Sequence, residues 1–155
     1  FDAAFSLGMF EHVGVRNYPA YFARVRRCLP EDGLFLLHTI GASASTRHTD
    51  PWIARYIFPN SMLPSAAQLA RASEGRFVIE DWHNFGADYD RTLQAWRANI
   101  EASWDRLDAR YDERFRRMWR FYLGAAMAGF RTRRLQLWQL VMSPRGVPGG
   151  YVGAR

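Results

Sequence analysis

The chain contains no lysine, a single cysteine and no long apolar run. One cysteine, Cys28, excludes a disulfide framework and is typical of a reducing compartment. The longest apolar stretches fall well short of the roughly 20 residues that a transmembrane helix needs, and the first residues show no signal-peptide pattern. These absences argue against disulfide-rich secreted proteins and membrane-spanning proteins. We therefore expect a cytoplasmic protein.

Other absences concern catalytic chemistry. The sequence has no Gly-x-Ser-x-Gly segment, so it lacks the nucleophile elbow of the serine hydrolases. Its 4 histidines show no paired spacing, which argues against a metal site. A glycine cluster at 149–153 follows the last predicted strand and opens no helix, so it does not fit a phosphate-binding turn.

Arginine and aromatic side chains are abundant instead. The 21 basic residues, all arginine, outnumber 15 acidic ones and give a formal net charge of +6. A basic balance indicates an anionic partner, such as nucleic acid, a phospholipid surface or an anionic cofactor. Codon bias toward arginine is the simpler explanation for the absence of lysine. Aromatic residues make up 15% of the chain, which indicates either a rich core or an apolar pocket.

The hydrophobic pattern predicts an α/β fold with four strands in one domain, or in a piece of one. A helix joins the first two strands, so we expect them to be parallel with a right-handed connection. The second strand is an almost unbroken apolar run, which is typical of a strand buried on both faces. Strands are predicted at 1–7, 34–40, 76–82 and 135–142, and helices at 18–29 after an Asn17 cap, from Ser65 to 74, from an Asp88 cap to 104 and at 112–130, with a short helix and turns in 51–64.

Polar side chains follow the first two predicted strands: Glu11 comes after the first, and His38 lies near the end of the second. Ligands of parallel sheets bind at the carboxyl ends of the strands, and neighbouring strands lie about 4.8 Å apart. Glu11 and His38 could therefore face each other at one rim. Such a pair can orient a proton-transfer group or bind a small polar anion. The structural alternatives are a turn carboxylate or helix cap for Glu11 and a core histidine for His38.

A third candidate is Tyr89, which begins the helix after the third strand on that helix's apolar face. Its hydroxyl could reach over the sheet edge. The alternative is a core tyrosine whose hydroxyl bonds the backbone, and spacing alone favours that alternative.

Seven segments spread along the chain carry a resemblance: GMFEHVG at 8–14, NYPAYF at 17–22, LFLLHTIG at 34–41, DPWIARYIFPNSMLPS at 50–65, EDWHNFGADYDRTLQAW at 80–96, ERFRRMWRFYL at 113–123 and RLQLWQLVMS at 134–143. Together they make the chain similar to the C-terminal portion of the cyclopropane-fatty-acyl-phospholipid synthases. These are S-adenosylmethionine-dependent enzymes with a class I methyltransferase fold. The resemblance covers essentially all 155 residues.

For the fold, the resemblance implies the C-terminal half of a Rossmann-like α/β methyltransferase sheet with helices on both faces. Residues 1–155 would form the C-terminal part of a single catalytic domain, whose N-terminal, cofactor-binding half lies upstream. Residues 42–64 would be an insertion that walls the acyl pocket.

For the activity, the resemblance implies methylene transfer from S-adenosylmethionine to the cis double bond of an unsaturated phospholipid chain. The carbocation formed would be deprotonated by a bound bicarbonate, and no metal is implied. The catalytic candidates are Glu11, His38 and Tyr89. The matching positions are Glu11, His38, the Ile40 backbone and Tyr89 for bicarbonate, and Leu7, Gly8 and His12 for the methionine end of the cofactor.

The implied partner is unsaturated phospholipid at the inner face of the membrane, where the protein would bind peripherally. A homodimer is a further expectation, and nucleic acid is not expected as a partner. Two alternatives stay open. One is a methyltransferase or cyclopropane synthase that acts on another lipid, such as a mycolyl chain. The other is a non-catalytic lipid-binding protein.

Overall fold

A computed structural model describes residues 1–153, so the last two residues of the predicted domain 1–155 lie outside the described part. Strands and helices alternate at the predicted places, with shifts of a few residues at their ends. None of the described helices is long and apolar enough to cross a membrane. In chain order the elements are β1 (Ala3–Leu7), α1 (Tyr18–Cys28), β2 (Leu34–Ala42), α2 (Pro51–Tyr56), α3 (Ala66–Ser73), β3 (Val78–Asn84), α4 (Gly86–Glu101), α5 (Glu113–Arg131) and β4 (Leu135–Ser143), with 3₁₀ turns at Phe10–His12, Val15–Asn17 and Trp104–Arg106.

The four strands form one sheet in the order β1-β2-β4-β3. β1 and β2 are parallel, as predicted, and their register places Leu7 opposite His38. β4 lies between β2 and β3 and runs antiparallel to both. The carboxyl ends of β1 and β2 therefore meet at one rim of the sheet.

Helices cover both faces, which confirms the predicted architecture. On the first face, α1 and α3 pack on the strands and form what we call the first-face core. On the second face, α4 and α5 pack on β4. Each fully buried leucine or phenylalanine in these clusters contributes about 1.5–3 kcal/mol relative to exposure. The first-face core includes Phe22, Phe35, Leu37, Leu69 and Leu140, and the second cluster is Leu93, Leu123, Met127, Phe130 and Leu137.

The expectation that β2 is buried equally on both faces is wrong for the described residues. Its burial alternates: Phe35 and Leu37 are at most 1% exposed, whereas Leu36 is only half-buried. On β1, whose register puts Phe5 beside Leu36, the Phe5 side chain is 75% exposed. The α4–α5 pair covers the β4 side of the second face, and the β1 side stays open.

Two helix starts follow the sequence closely. Ser65 caps α3 in a capping box, in which its hydroxyl accepts from the Gln68 amide and the Gln68 side chain accepts from the Ser65 amide. Asp112 caps α5 by accepting from the Phe115 amide at 2.8 Å. Each such cap stabilises its helix by about 1 kcal/mol.

Two predicted caps are wrong. The Asn17 side chain donates to the carbonyl of Val13 at 2.8 Å and leaves the start of α1 without a side-chain cap. α4 begins before Asp88, because the Asn84 side chain accepts from the Gly86 amide at 2.9 Å and starts the helix there. Asn84 thus takes the place predicted for Asp88 at the start of α4, because a short polar side chain readily accepts from the backbone amide two residues later.

Candidate active site

The turn after β1 folds a carboxylate back over the rim of the sheet. Gly8 adopts a φ of 63°, in the region that favours glycine, and its amide donates to the carbonyl of His38 at 3.1 Å. The 3₁₀ turn that follows buries Phe10 completely in the first-face core. Since Phe10 anchors the turn, its neighbour Glu11 is held at the carboxyl ends of β1 and β2.

Glu11 is the central group of this rim, and it is only 6% exposed. Its Oε1 accepts a hydrogen bond from the Ile40 amide at 2.7 Å, and its backbone carbonyl accepts from the Met62 amide at 2.7 Å. Its Oε2 is buried and has no hydrogen-bond partner among the described residues. A buried carboxylate oxygen without a partner is costly, so this atom fits a ligand that donates a hydrogen bond.

His38 lies half-buried in the middle of β2, opposite Leu7 at the end of β1, because β2 extends beyond the predicted strand end. The orientation of its ring follows from one contact. The amide nitrogen of Gln139 on β4 lies 3.1 Å from His38 Nδ1. An amide nitrogen can only donate, so Nδ1 accepts and the neutral ring carries its proton on Nε2. Burial lowers the pKa of His38 more than the nearby Glu11 carboxylate raises it, which keeps the ring neutral. His38 therefore presents an N–H donor at the rim.

Tyr89 lies on the first turn of α4 within an aromatic enclosure. Its ring meets Phe130 edge-on at 5.0 Å and Trp96 at 5.8 Å between centroids. Burial raises the pKa of Tyr89, and the Glu11 carboxylate raises it further. The phenol stays protonated and can donate. The Glu11 carboxylate acts to raise the pKa of both Tyr89 and His38. We call Glu11, His38 and Tyr89 the rim site, and their shared role in catalysis stays a prediction.

The predicted cofactor positions lie on the outer side of the rim site. Leu7 is 57% exposed, and Gly8 and His12 are also exposed. The His12 ring meets Phe58 edge-on at 5.9 Å. The assignment of these residues to the methionine end of a cofactor stays a prediction. Ile40, expected to bind bicarbonate through its backbone, has its amide engaged by Glu11.

The segment 42–64 approaches the rim site at two points. The Met62 amide holds the backbone of Glu11, and the ring of Phe58 lies between His12 and Tyr122 at 5.9 and 6.0 Å. Its role as a wall of an acyl pocket stays a prediction.

Sequence reasoning missed Gln139, whose side chain meets His38 across the sheet. The available signal was a glutamine inside the apolar strand 135–142. Tyr18 is buried in the first-face core and Tyr21 packs against it, as the apolar spacing of α1 predicts. Burial raises the pKa of each, and the Glu11 carboxylate raises both further.

Comparison with known proteins places this site in a family. The chain is 55% identical over 155 residues to the cyclopropane-fatty-acyl-phospholipid synthase of Escherichia coli (strain K12), and the match covers 100% of this chain and 40% of that protein. It is 33% identical over 155 residues to the tuberculostearic acid methyltransferase UfaA1 of Mycobacterium tuberculosis, covering 96% of this chain and 36% of that protein. The chain thus spans about 40% of the length of these curated relatives.

The fold agrees with solved structures of the same kind. The mycolic acid cyclopropane synthase CmaA1, complexed with SAH and CTAB, superimposes with a TM-score of 0.82 at 27% identity, over 92% of this chain and 55% of that one. The sequence profile of the mycolic acid cyclopropane synthetase family matches residues 1–140. The chain therefore belongs to the mycolic acid cyclopropane synthetase family.

Proposed function

We propose that the complete gene product transfers a methylene group from S-adenosylmethionine to the cis double bond of an unsaturated phospholipid acyl chain and forms a cyclopropane fatty acid. The reaction would take place at a membrane surface on the cytoplasmic side. The 55% identity to the E. coli synthase over this whole chain supports the reaction class.

The observation that carries the proposal is the state of Glu11. One carboxylate oxygen is fixed by the Ile40 amide, and the other is buried with no hydrogen-bond partner within residues 1–153. This oxygen fits bicarbonate, because the hydroxyl of bicarbonate can donate to it, whereas two bare anions would repel each other. His38 Nε2 and the Tyr89 hydroxyl are the two further donors that would hold the remaining oxygens.

The residues present are consistent with the chemistry. Bound S-adenosylmethionine would supply the methyl group, and bound bicarbonate would supply the base. The alkene would take up the methyl group as the methyl–sulfonium bond breaks and S-adenosylhomocysteine leaves. The transferred methyl group would then lose a proton to the base as the ring closes, so no protein nucleophile is required. This chain contributes the anion-holding groups and the aromatic rings of Tyr89 and Phe130, which tolerate transient positive charge.

The test uses the complete gene product, S-adenosylmethionine and vesicles of cis-unsaturated phospholipid. Mass spectrometry and NMR of the acyl chains should show a gain of one CH₂ with cyclopropane proton signals and no remaining alkene. Omitting and then restoring bicarbonate should slow and then rescue the reaction. A complete lack of product with every cis-unsaturated phospholipid would contradict the proposal.

A second candidate is methyl transfer to a lipid without ring closure. It is favoured by the 33% identity to a tuberculostearic acid methyltransferase. The same assay separates the two, because this product would gain one CH₂ and keep a double bond beside the new branch instead of forming a ring. Vesicle binding without any product would indicate the third possibility, a non-catalytic lipid-binding protein.

A further inference from the structure

A groove of about 1060 Å³ lies between α2 and the N-terminal half of α5, on the outside of the molecule. Trp52 on α2 forms its floor, packing edge-on against Phe121 at 4.6 Å and against Tyr56 at 5.4 Å between centroids. Phe121 is 59% exposed and Tyr56 39% exposed. Large aromatic side chains are rarely left so open together without a partner.

Cations border this aromatic floor. Arg114 and Arg117 line the groove, are exposed, and form no ion pair within residues 1–153. The neighbouring Arg120 differs, because it pairs with Glu101 at 2.7 Å. Asp112 is the one carboxylate that lines the groove, and it is occupied in capping α5. The groove thus offers two exposed guanidinium groups without an ion pair among residues 1–153, beside aromatic rings.

The same helix connects this groove with the rim site. Phe121 faces the groove, whereas the next residue, Tyr122, meets Phe58 edge-on at 6.0 Å. Phe58 in turn meets His12, next to Glu11. The groove and His12, next to Glu11 in sequence, are therefore linked through the rings of Tyr122 and Phe58.

We propose that the α2–α5 groove docks the protein on an anionic phospholipid bilayer, which deepens the proposed function and rests on it. Trp52, Tyr56 and Phe121 lie at the headgroup level, where amphipathic and aromatic rings are stable. Arg114 and Arg117 bind lipid phosphates, because each cation near an anionic surface adds about 1 kcal/mol of attraction. Charge complementarity selects the anionic surface, and the apolar floor favours a bilayer over a nucleic acid.

The decisive experiment compares two double variants of the complete gene product. R114Q/R117Q removes the groove cations, and R24Q/R27Q removes two exposed arginines with the same spacing on α1, on the other side of the sheet. Both variants lower the net charge by two. Vesicles of phosphatidylglycerol and phosphatidylethanolamine are sedimented with each protein, with phosphatidylcholine vesicles as the uncharged comparison.

We expect R114Q/R117Q to bind anionic vesicles about 30-fold more weakly, the ratio that corresponds to losing two cations at ~1 kcal/mol each. R24Q/R27Q should stay within about 3-fold of the unmodified protein. Phe121→Gln should weaken binding to both vesicle types, because it removes the apolar contribution. Raised salt should weaken the unmodified protein more than R114Q/R117Q.

Several outcomes would overturn the docking proposal. Equal losses of vesicle binding in both double variants would show that binding depends on net charge and not on the groove. A changed oligomeric state of R114Q/R117Q with unchanged vesicle binding would assign the groove to a second copy of the chain. Loss of salt-sensitive DNA binding with unchanged vesicle binding would assign it to nucleic acid.

An activity readout separates this proposal from the proposed function. A short-chain unsaturated phospholipid, used below its micelle concentration, reaches the enzyme without a bilayer. R114Q/R117Q should turn over this monomer at the unmodified rate and lose turnover on vesicles. If the unmodified protein makes no product from either form, the proposed function fails, and the vesicle-binding comparison still decides the docking site. Equal turnover of the variant on both forms would contradict docking through the groove.

Discussion

On the first face of the sheet, Phe35, Leu37 and Leu140 are at most 1% exposed and bring no polar side-chain atom into the core. At the rim, Glu11 is almost as buried, at 6% exposed, yet one of its carboxylate oxygens has no hydrogen-bond partner in the described part of the chain. Native proteins satisfy nearly all buried polar groups, so the rim is an exception. The comparison teaches that stability comes from the first-face core, whereas the rim keeps hydrogen-bonding capacity for a ligand.

The largest effect that separates the two regions should come from Glu11→Ala. We expect product formation by the complete gene product to fall by about 10²–10⁴-fold, the contribution of a positioned proton-transfer site. The free energy of unfolding should stay the same or rise, because the variant removes a buried, half-satisfied charge. Product analysis and urea denaturation measure the two quantities. An unchanged rate would remove Glu11 from the site.

The converse test uses two neighbouring leucines on opposite faces of β2. Leu37→Ala should lower the free energy of unfolding by about 2–5 kcal/mol, because Leu37 is fully buried in the first-face core. Leu36→Ala should lower it by clearly less, since Leu36 is half-buried. Urea denaturation gives both values. Equal losses in the complete gene product would show that sequence beyond residues 1–153 covers the second face.

Much of the fold could be predicted because local sequence patterns encode its helices and strands. The spacing of Tyr18 and Phe22 predicted α1, and both are at most 1% exposed. The parallel pairing of β1 and β2 followed from the helix between them and correctly brought the segments of Glu11 and His38 to one rim. Ser65, predicted as the cap of α3, forms a capping box with Gln68 three residues later.

The rest depends on contacts between distant parts of the chain. Nothing within the segment 135–143 indicates that it inserts antiparallel between β2 and β3, because that choice is made by its partners. The bond between the Ile40 amide and Glu11 joins residues 29 positions apart. Similarly, Gln139 meets His38 only through the register of β4 on β2. Such cross-strand positions leave no periodic signal.

A smaller effect is expected at the third member of the rim site. Tyr89→Phe keeps the packing against Phe130 and Trp96 and removes only the hydroxyl. The rate of product formation should fall by about 10- to 100-fold, since one hydrogen bond to a charged group contributes roughly 1.5–3 kcal/mol. Stability should change little, because the aromatic contacts remain. Tyr111→Phe, at an exposed ring, is the matched control, and an equal effect of both variants would contradict the assignment.

The pH dependence of the free energy of unfolding tests whether His38 at the rim is held neutral. Burial lowers the pKa of His38, so between that pKa and the ordinary value of about 6.5 the unfolded chain binds a proton that the folded chain does not. The free energy of unfolding should therefore fall as the pH decreases through this window, and His38→Gln should flatten that fall. Glu11→Gln should lower the pKa of His38 further, because it removes a carboxylate that raises it. Histidine NMR titration measures this pKa, and an unchanged value in Glu11→Gln would place His38 outside the field of Glu11.

The smallest effect concerns Tyr18, which belongs to both regions. Its ring is 1% exposed in the first-face core and stacks on Phe10 at 4.2 Å, while its hydroxyl is buried without a partner and lies in the field of Glu11. Tyr18→Phe keeps the ring and removes an unsatisfied group, so the free energy of unfolding should rise or change by less than about 1 kcal/mol. Product formation should stay close to the unmodified rate. If Tyr18→Phe instead slowed product formation as much as Tyr89→Phe, the hydroxyl would act on the bound ligand. The ring of Tyr18 would then belong to the first-face core and its hydroxyl to the rim site.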